Sequence, residues 1–125
     1  MKPLIHPAIE DVPLAAILHA LADPVRVALF AEIVAQECPR NCTMLVSVLE
    51  NPVPKSTLSQ HLRILREAGL IHGERNGVEL RNASRCAEIE AHYPGLILSI
   101  VGAHEIQIEV EKKRVRRRVR MAARS

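Results

Sequence analysis

Residues 54–70 constrain this chain more than any other stretch. Leu58, Leu62 and Leu65 are spaced by four and three residues, which places them on one apolar side of a helix. Most of the residues between them are polar or charged, so the helix is predicted to bury one side and to expose the other. Gly69 is predicted to end it, because glycine accepts the left-handed backbone of a C-terminal cap.

The start of the same helix is predicted from its hydroxyl residues. Ser56 or Thr57 can cap the N-terminus, and Gln60 lies three residues after Thr57, as in a capping box. Pro54 stops a helix from entering this stretch from before. The exposed side then carries hydroxyls, an amide and a guanidinium, which can hydrogen-bond base edges and phosphates in a DNA major groove.

A β-hairpin is predicted directly after this helix. Asn76-Gly77 lies between two short runs, residues 71–75 and 78–81, and this arrangement is the strongest short hairpin signal. A polar-sided helix followed at once by a hairpin is the element order of a winged helix-turn-helix. The hairpin tip, with Arg75 and Asn76, would then reach the flanking minor groove or the DNA backbone.

Three segments together resemble a known family. They are Leu-Ala-Asp-Pro-Val-Arg-Val-Ala-Leu-Phe at 21–30, Ser-Thr-Leu-Ser-Gln-His-Leu-Arg-Ile-Leu-Arg-Glu-Ala-Gly-Leu-Ile at 56–71, and the Asn-Gly hairpin. They resemble the ArsR/SmtB (arsenical-repressor) family, in order, over residues 12–110. The resemblance implies a mainly α-helical fold with a small β-hairpin (α+β), a winged helix-turn-helix that dimerises through its first and last helices. It also implies a homodimeric repressor that a metal ion, a metalloid or a redox signal releases from DNA.

The predicted DNA-binding surface combines the helix and the hairpin. Lys55 suits a phosphate, Gln60 an adenine, and Arg63 a guanine or a phosphate. His61 lies at the edge of the apolar stripe, where packing is favoured over base contact. An ordinary solvated helix side is the alternative. The full predicted set is Lys55, Ser56, Thr57, Ser59, Gln60, His61, Arg63, Arg75, Asn76 and Arg81.

The other apolar stretches predict further helices. Asp23-Pro24 is a good start signal, since Asp is a favoured N-cap and Pro is favoured at the first helical position. Arg26 could pair with Asp23 or reach a phosphate, but surface packing is the favoured role. Before the polar-sided helix, the predicted order is a first helix over 13–22, a second helix to about 36, a loop over 37–42, a third helix over 44–50 and a turn over 51–54. After the hairpin, a short helix is predicted that Ser84 caps and that ends near Tyr93. A last helix is predicted from Leu96, with a wide apolar side for dimerisation.

Charge is divided unevenly along the chain. Residues 112–124 hold eight of the seventeen basic residues and no acidic one, so residues 1–111 hold nine basic and fourteen acidic residues, a net charge of −5. In the helix and hairpin, basic residues gather at Lys55, Arg63, Arg66, Arg75, Arg81 and Arg85. We therefore divide the chain into a winged helix-turn-helix and dimerisation domain, 1–111, and a basic C-terminal tail, 112–125. The core is expected to be aliphatic, because 48% of residues are apolar but only one is Phe, one Tyr and none Trp.

The basic tail has two interpretations. It could add sequence-independent phosphate contacts with a strong salt dependence, or it could be a solvated end. Val115 and Val119, four residues apart, leave a helical continuation open. A nonspecific, nucleoid-type DNA-binding protein driven by this tail is the alternative to a sequence-specific regulator.

The cysteines offer candidate signal-sensing chemistry. Cys38 and Cys42 form a Cys-x3-Cys pair before a predicted helix N-terminus, where a thiolate is stabilised. They could bind As(III), with or without Cys86, or form a redox disulfide, or they could be incidental thiols. The family's metal sensors carry a Cys-Val-Cys-type motif on the following helix, and its second thiolate is missing here.

No metal site is predicted at the histidines. The family's second metal motif has its nearest counterpart in Glu90-x-His92 and His104-x2-Gln107, but the register is shifted by one residue and the last ligand is an amide. Pro94 also interrupts the helix between them.

Several functional classes are excluded on sequence grounds. No run approaches the roughly eighteen apolar residues of a membrane span, and no signal-peptide pattern is visible. An odd number of cysteines, three, argues against a secreted disulfide scaffold. No phosphate-binding loop and no catalytic triad order is present, so an enzyme is not predicted. We expect a cytoplasmic homodimeric repressor that binds double-stranded DNA at a near-palindromic operator, without a membrane partner.

Overall fold

The computed structural model describes residues 4–36, 40–41 and 53–124. The predicted helix over 44–50 and most of the predicted turn before residue 53 lie outside these residues. In chain order the elements are a 3-10 turn Ile9–Asp11, α1 Leu14–Leu21, α2 Pro24–Ala35, β1 Arg40–Asn41, α3 Lys55–Glu67, β2 Ile71–Asn76, β3 Glu79–Ser84, α4 Cys86–His92 and α5 Leu96–Arg124.

The core lies where α1, α2 and α3 meet the base of the sheet and the first turn of α5. Apart from Phe30, its fully buried apolar side chains are aliphatic, as the composition predicted. Leu58, Leu62 and Leu65 are all fully buried, so the predicted apolar stripe of α3 is confirmed. This packing fixes the orientation of α3 relative to the rest of the fold.

Helix α2 begins as predicted. The Asp23 carboxylate accepts hydrogen bonds from the backbone N–H groups of Val25 at 2.8 Å and Arg26 at 3.2 Å, and Pro24 occupies the first helical position. Burial opposes ionisation of Asp23, but these backbone hydrogen bonds outweigh it and hold its pKa below the usual value.

The predicted capping box at the start of α3 is wrong. The helix begins at Lys55, its N-cap is Pro54, and no side chain caps it. Pro54 has the extended backbone of a cap, with φ −57° and ψ 149°, and its carbonyl accepts from Leu58 N–H at 3.0 Å. Ser56 and Thr57 therefore lie inside the first turn, where their hydroxyls remain available to other partners.

The C-terminal end of α3 is confirmed and has a Schellman motif. Gly69 has φ +76°, its N–H donates to Arg66 O at 3.0 Å, and Leu70 N–H donates to Leu65 O at 3.0 Å. A Cβ at Gly69 would lie 2.7 Å from the Cγ2 atom of Val12. Glycine is therefore required both by the backbone conformation and by the close approach of the segment before α1.

The hairpin is confirmed, with its loop one residue later than predicted. Asn76 pairs with Glu79, so the two loop residues are Gly77 and Val78. Gly77 has φ +67°, and no described residue other than a glycine has positive φ, which fits a loop with glycine in its first position, as in a type II′ turn.

Two predictions on the edges of the sheet are wrong. Arg40–Asn41, predicted as loop, forms a short strand that pairs antiparallel with β3, giving the order β1-β3-β2. Ser84 pairs with Ile71 and so ends β3 instead of capping α4, whose N-cap is Arg85. In both cases a partner distant in the chain decides the conformation.

Helix α5 runs without a break from Leu96 to Arg124. The Glu90 carboxylate caps its start by accepting hydrogen bonds from Gly95 at 2.6 Å, Ile97 at 2.8 Å and Leu98 at 3.0 Å. The bonds from Gly95 and Leu98 lower the pKa of Glu90 most. From residue 105 to residue 124 every residue is exposed, so this end of α5 packs against nothing in the described part of the chain.

No single described helix is both long enough and apolar enough to cross a membrane. Helices α1 and α2 pass such a test only together, and the chain bends by 103° between them.

Candidate nucleic-acid interface

The exposed side of α3 presents a continuous set of polar side chains. We call it the polar face and define it as Lys55, Ser56, Thr57, Ser59, Gln60 and Arg63, all of which are exposed. The three leucines on the opposite side of α3 are fully buried, so the body of the protein holds this face outward. Its outer side chains are short apart from the basic ones and Gln60, so a helix backbone could approach a nucleic-acid groove closely.

Arg63 is held by a neighbour on the same helix. Its Nε donates to the Glu67 carboxylate at 3.1 Å, and the side chains are 62% and 42% exposed. An exposed pair of this kind contributes little stability, because water screens it. Arg63 can therefore exchange Glu67 for a phosphate or a base edge at small cost.

His61 differs from the other predicted residues of α3. It is half-buried, and its Nδ1 lies 3.4 Å from Nη1 of Arg26. The Arg26 side chain is only 11% exposed, and it donates to Ala20 O at 2.7 Å and His19 O at 3.3 Å. The favoured prediction, surface packing of Arg26, is therefore wrong, and the alternative, a pair with Asp23, is present at 3.9 Å. The guanidinium also joins the end of α1 to the inner edge of α3.

The hairpin places further predicted residues at the surface. Arg75 and Asn76 at the end of β2 are exposed, as is Arg81 on β3, whose Nε lies 3.4 Å from the Glu79 carboxylate. Val78, in the loop, is fully exposed at 105% of its reference area. The exposed side chains of the tip can contact a groove or a nucleic-acid backbone.

Two of the basic residues grouped with this surface on sequence grounds do not belong to it. The whole of Arg66 is 8% exposed, and the Arg85 side chain is 9% exposed. Arg85 donates to the Glu88 carboxylate at 2.7 Å and to Pro7 O at 2.7 Å. Both arginines have long aliphatic stems that tertiary packing covers, which charge counting cannot detect.

The N-terminal arm, residues 4–8, is fastened to the hairpin. Nε2 of His6 accepts a hydrogen bond from Gly73 N–H at 3.0 Å, and the His6 and His72 rings lie 4.3 Å apart. Burial, followed by the neighbouring His72, Arg66 and Arg85, lowers the pKa of His6. Sequence analysis missed this contact, since it joins residues 67 positions apart and no local pattern marks it.

Comparisons with known proteins agree with this geometry. A helix-turn-helix domain family matches residues 21–74. The HTH-type transcriptional repressor SmtB of Mycobacterium tuberculosis is 44% identical over 64 residues, which are 51% of this chain. The chain spans 44% of the length of that curated relative.

Solved structures share the fold. The transcriptional repressor BigR from Xylella fastidiosa superposes with a TM-score of 0.56, is 26% identical, and is matched over 72% of this chain and 80% of that one. This chain has a winged helix-turn-helix fold and is similar to ArsR/SmtB-type proteins. An ArsR-like transcriptional regulator from Rhodococcus sp. RHA1 supports the same fold, with a TM-score of 0.53 and 24% identity over 82% of this chain and 91% of that one. The predicted resemblance to this family and the predicted fold class are confirmed.

In this winged helix-turn-helix protein, the candidate cysteine pair lies outside the described residues, which include neither Cys38 nor Cys42. Cys86, at the start of α4, is half-buried, and burial followed by the nearby Glu90 raises the pKa of its thiol. Its thiol is therefore kept protonated and is a poor nucleophile near neutral pH.

The first two residues of the candidate histidine motif, Glu90 and His92, have other partners in this winged helix-turn-helix protein. Glu90 caps α5, as described above, and His92 packs edge-on against Tyr93 with the ring centroids 4.6 Å apart. The Tyr93 hydroxyl in turn donates to Val12 O at 3.0 Å. Among the described residues, no three His, Cys, Asp or Glu side chains lie together in a way that could hold a metal ion.

Large apolar side chains stand exposed on the two helices that the family resemblance assigns to dimerisation. Leu14 and Leu18 on α1 are both more than two-fifths exposed, and Leu98 and Ile106 on α5 are about two-thirds exposed. Ile108 and Val110 extend the exposed apolar surface along α5. Such a set of aliphatic side chains is costly to expose to water.

An open cleft of about 270 Å³ lies between α1 and the second half of α3. Its lining residues are Ala16, His19, Ile64, Glu67 and Ala68. Glu67 thus contributes both to this cleft and to the position of Arg63 on the polar face.

Proposed function

We propose that this protein is a homodimeric, sequence-specific DNA-binding transcriptional regulator that acts as a repressor. One observation carries the proposal: α3 buries its leucines, turns the polar face outward, and is followed at once by a hairpin with an exposed basic tip. The similarity of the chain to the SmtB repressor supports the same activity. Binding rather than catalysis is the proposed activity, and the cytoplasm is the proposed location.

The polar face would enter a DNA major groove. Gln60 would make a bidentate contact to adenine, and Arg63, released from Glu67, would contact guanine or a phosphate. Lys55 would bind a phosphate, and Ser56, Thr57 and Ser59 would hydrogen-bond base edges or backbone. The hairpin residues Arg75, Asn76 and Arg81 would contact the backbone or the adjacent minor groove. His61 would position α3 through Arg26 rather than contact a base.

Dimerisation would follow from the exposed apolar residues of α1 and α5. A second copy would cover Leu14, Leu18 and Leu98, and a two-fold axis would place two α3 helices on the same side of the DNA. The half-sites would then lie about one helical turn, roughly 34–36 Å, apart on a near-palindromic operator.

Release from DNA would respond to a redox, metalloid or small-molecule signal. Cys38 and Cys42 remain the candidate thiols, either as a reversible disulfide or as ligands of As(III).

The test is binding to the upstream region of the protein's own gene at physiological salt, compared with a scrambled duplex. Gln60→Ala and Arg63→Ala should each reduce discrimination between operator and scrambled DNA by about 1–3 kcal/mol, or about fivefold to 150-fold. Glu10→Gln, on the exposed 3-10 turn, is the matched control and should change nothing. Wild-type protein without any sequence preference would overturn the proposal.

The same assay identifies the signal. Binding is measured with reduced protein, oxidised protein, and protein incubated with As(III) or zinc. Loss of binding only on oxidation supports the disulfide, loss only with As(III) supports metalloid binding, and Cys42→Ser should abolish either response. Indifference to all conditions would exclude the two cysteines as the sensor.

A further inference from the structure

The C-terminal part of α5 is a helix with two distinct sides. We call residues 112–124 the basic segment. With about 100° of rotation per residue, Val115, Val119 and Ala122 fall within about 60° of one another. Lys113, Arg117, Arg120 and Arg124 fall within about 60° on the opposite side, and we call these four residues the cationic stripe.

The residues of the cationic stripe differ from Lys112 and Arg114 in their ion pairs. Lys112 and Arg114 pair with Glu109 at 3.5 Å and with Glu111 at 3.1 Å, and the stripe residues form no such pair with any described carboxylate. Like charges three and four residues apart weaken a helix, so an anion that neutralises the cationic stripe would stabilise this part of α5.

We propose that the cationic stripe binds the sugar-phosphate backbone of duplex DNA outside the base pairs that α3 contacts. This inference rests on the proposed function. The stripe spans about 16 Å of helix, from residue 113 to residue 124. Duplex DNA carries one phosphate charge for each 1.7 Å or so of its axis, so it offers about ten over that length. Arginine is well suited to such contacts, because its planar guanidinium binds phosphate oxygens in pairs.

Other occupants fit this helix less well. A second copy packed on the Val115 and Val119 side would bring Lys112 and Arg118, which flank that side, against the same like charges of its partner. A membrane surface would need a large apolar side, yet this one has valine and alanine and no Trp, Phe or Leu. The row of like charges on the stripe therefore favours a regular polyanion.

Two double substitutions of equal charge test the proposal. Arg117→Gln with Arg120→Gln removes two stripe cations, and Lys112→Gln with Arg114→Gln removes two cations that already have carboxylate partners. Glutamine keeps the helix, which circular dichroism checks. Affinity for a random-sequence duplex and for the operator is measured from about 50 to 200 mM salt.

The stripe variant should make the slope of log K against log salt shallower by about 0.9 for each phosphate that the protein no longer neutralises. The control pair should change the slope by less than half as much. The ratio of operator to random-duplex affinity should stay within about twofold in both variants, because binding to the DNA backbone carries no sequence information. Equal slopes for the two variants, or an unchanged slope in the stripe variant, would overturn the inference.

Duplex length identifies the source of the phosphates. If trimming the duplex to the operator abolishes the difference between the variants, the stripe binds flanking DNA. If the difference persists and two duplexes bind each dimer, it binds a second duplex. Wild-type binding to anionic phosphatidylglycerol vesicles, with DNA slopes unaffected by the stripe variant, would overturn the inference in favour of a membrane. A wild-type protein with no operator preference would instead overturn the proposed function, whatever its salt slope.

Discussion

The polar face of α3 and the basic segment of α5 both present polar or charged side chains to solvent, but they are supported differently. Beneath the polar face, Leu58, Leu62 and Leu65 are fully buried, and a glycine cap in contact with Val12 fixes the end of the helix. The basic segment is exposed throughout, and its support within the described residues comes from its own helix.

This difference fits the two kinds of binding proposed above. Base recognition needs groups held in a defined orientation, which the packed underside of α3 provides. Phosphate attraction depends mainly on charge and tolerates variation in position. We therefore expect damage to the core under α3 to abolish specificity, and charge removal on α5 to change affinity and salt dependence.

The largest expected difference between the two regions comes from removing an apolar side chain in each. Leu62→Ala should lower the free energy of unfolding by about 2–5 kcal/mol, because it leaves a cavity under α3. Val119→Ala should change it by less than about 0.5 kcal/mol, because Val119 is 63% exposed. Urea unfolding followed by circular dichroism measures both. A similar cost at Val119 would mean that a partner packs on the basic segment.

Replacing a glycine by alanine should have opposite effects on stability at the end of α3 and inside α5. Gly69→Ala should destabilise the protein by about 1–3 kcal/mol, since its φ is +76° and its Cβ would meet Val12. Gly102→Ala, inside α5 with open space around its Cβ, should stabilise the protein by about 0.5–1 kcal/mol. Thermal unfolding measures the change in stability of both variants. A loss of stability at Gly102 would indicate that a partner helix approaches it closely.

Removing the carboxylate partner of Arg63 should change the affinity for DNA while leaving the stability of the protein almost unchanged. Glu67→Gln removes an exposed ion pair, so the free energy of unfolding should fall by only about 0.2–0.5 kcal/mol. Affinity for DNA should rise, because Arg63 no longer has to exchange a carboxylate for a phosphate or base. Fluorescence anisotropy with the operator measures this change, and Glu88→Gln, which leaves the polar face intact, is the control. Weaker binding by Glu67→Gln would contradict the exchange.

The smallest expected effect is the pH response of the N-terminal arm. The folded state holds the pKa of His6 below its usual value of 6.5, so the undocked arm binds more protons as the medium becomes acidic. The stabilisation is thus fully present above about pH 6.5 and is lost as pH falls through the lowered pKa.

Amide exchange at Gly73, whose N–H donates to His6, should therefore accelerate in mild acid. His6→Gln keeps an acceptor that does not titrate, and exchange in this variant should not respond to pH beyond the intrinsic chemical rate. An equal response in both proteins would exclude His6 as the cause.

Local signals predicted most of the fold. The Asp23-Pro24 start, the leucine stripe of α3 and the Gly69 end all depend on neighbouring residues, and all three are confirmed. The errors arise where a distant partner decides the structure. Ser84 continues a strand because it pairs with Ile71, and Arg40–Asn41 forms a strand because β3 lies beside it.

The predictions for the candidate site also succeed where neighbouring residues decide the structure and fail where distant contacts do. Exposure of the residues of the polar face follows from helical periodicity, which the sequence shows directly. The burial of Arg66 and Arg85 and the pairing of Arg26 with His61 depend on tertiary packing of long side chains. The sequence gives one sign of such a buried role, since Arg26 is a charged residue within an apolar run.

The unbroken course of α5 has a geometric consequence for its far end. Glu90 and the buried Ile97 set the rotation of the first turn about the helix axis, and a continuous helix carries that rotation to Arg124. One alanine inserted after Glu105 would turn the cationic stripe by about 100° and advance it by about 1.5 Å, whereas a seven-residue insertion would nearly restore its direction. The direction in which Arg124 points is thus set by contacts at the first turn of α5, roughly seven turns away.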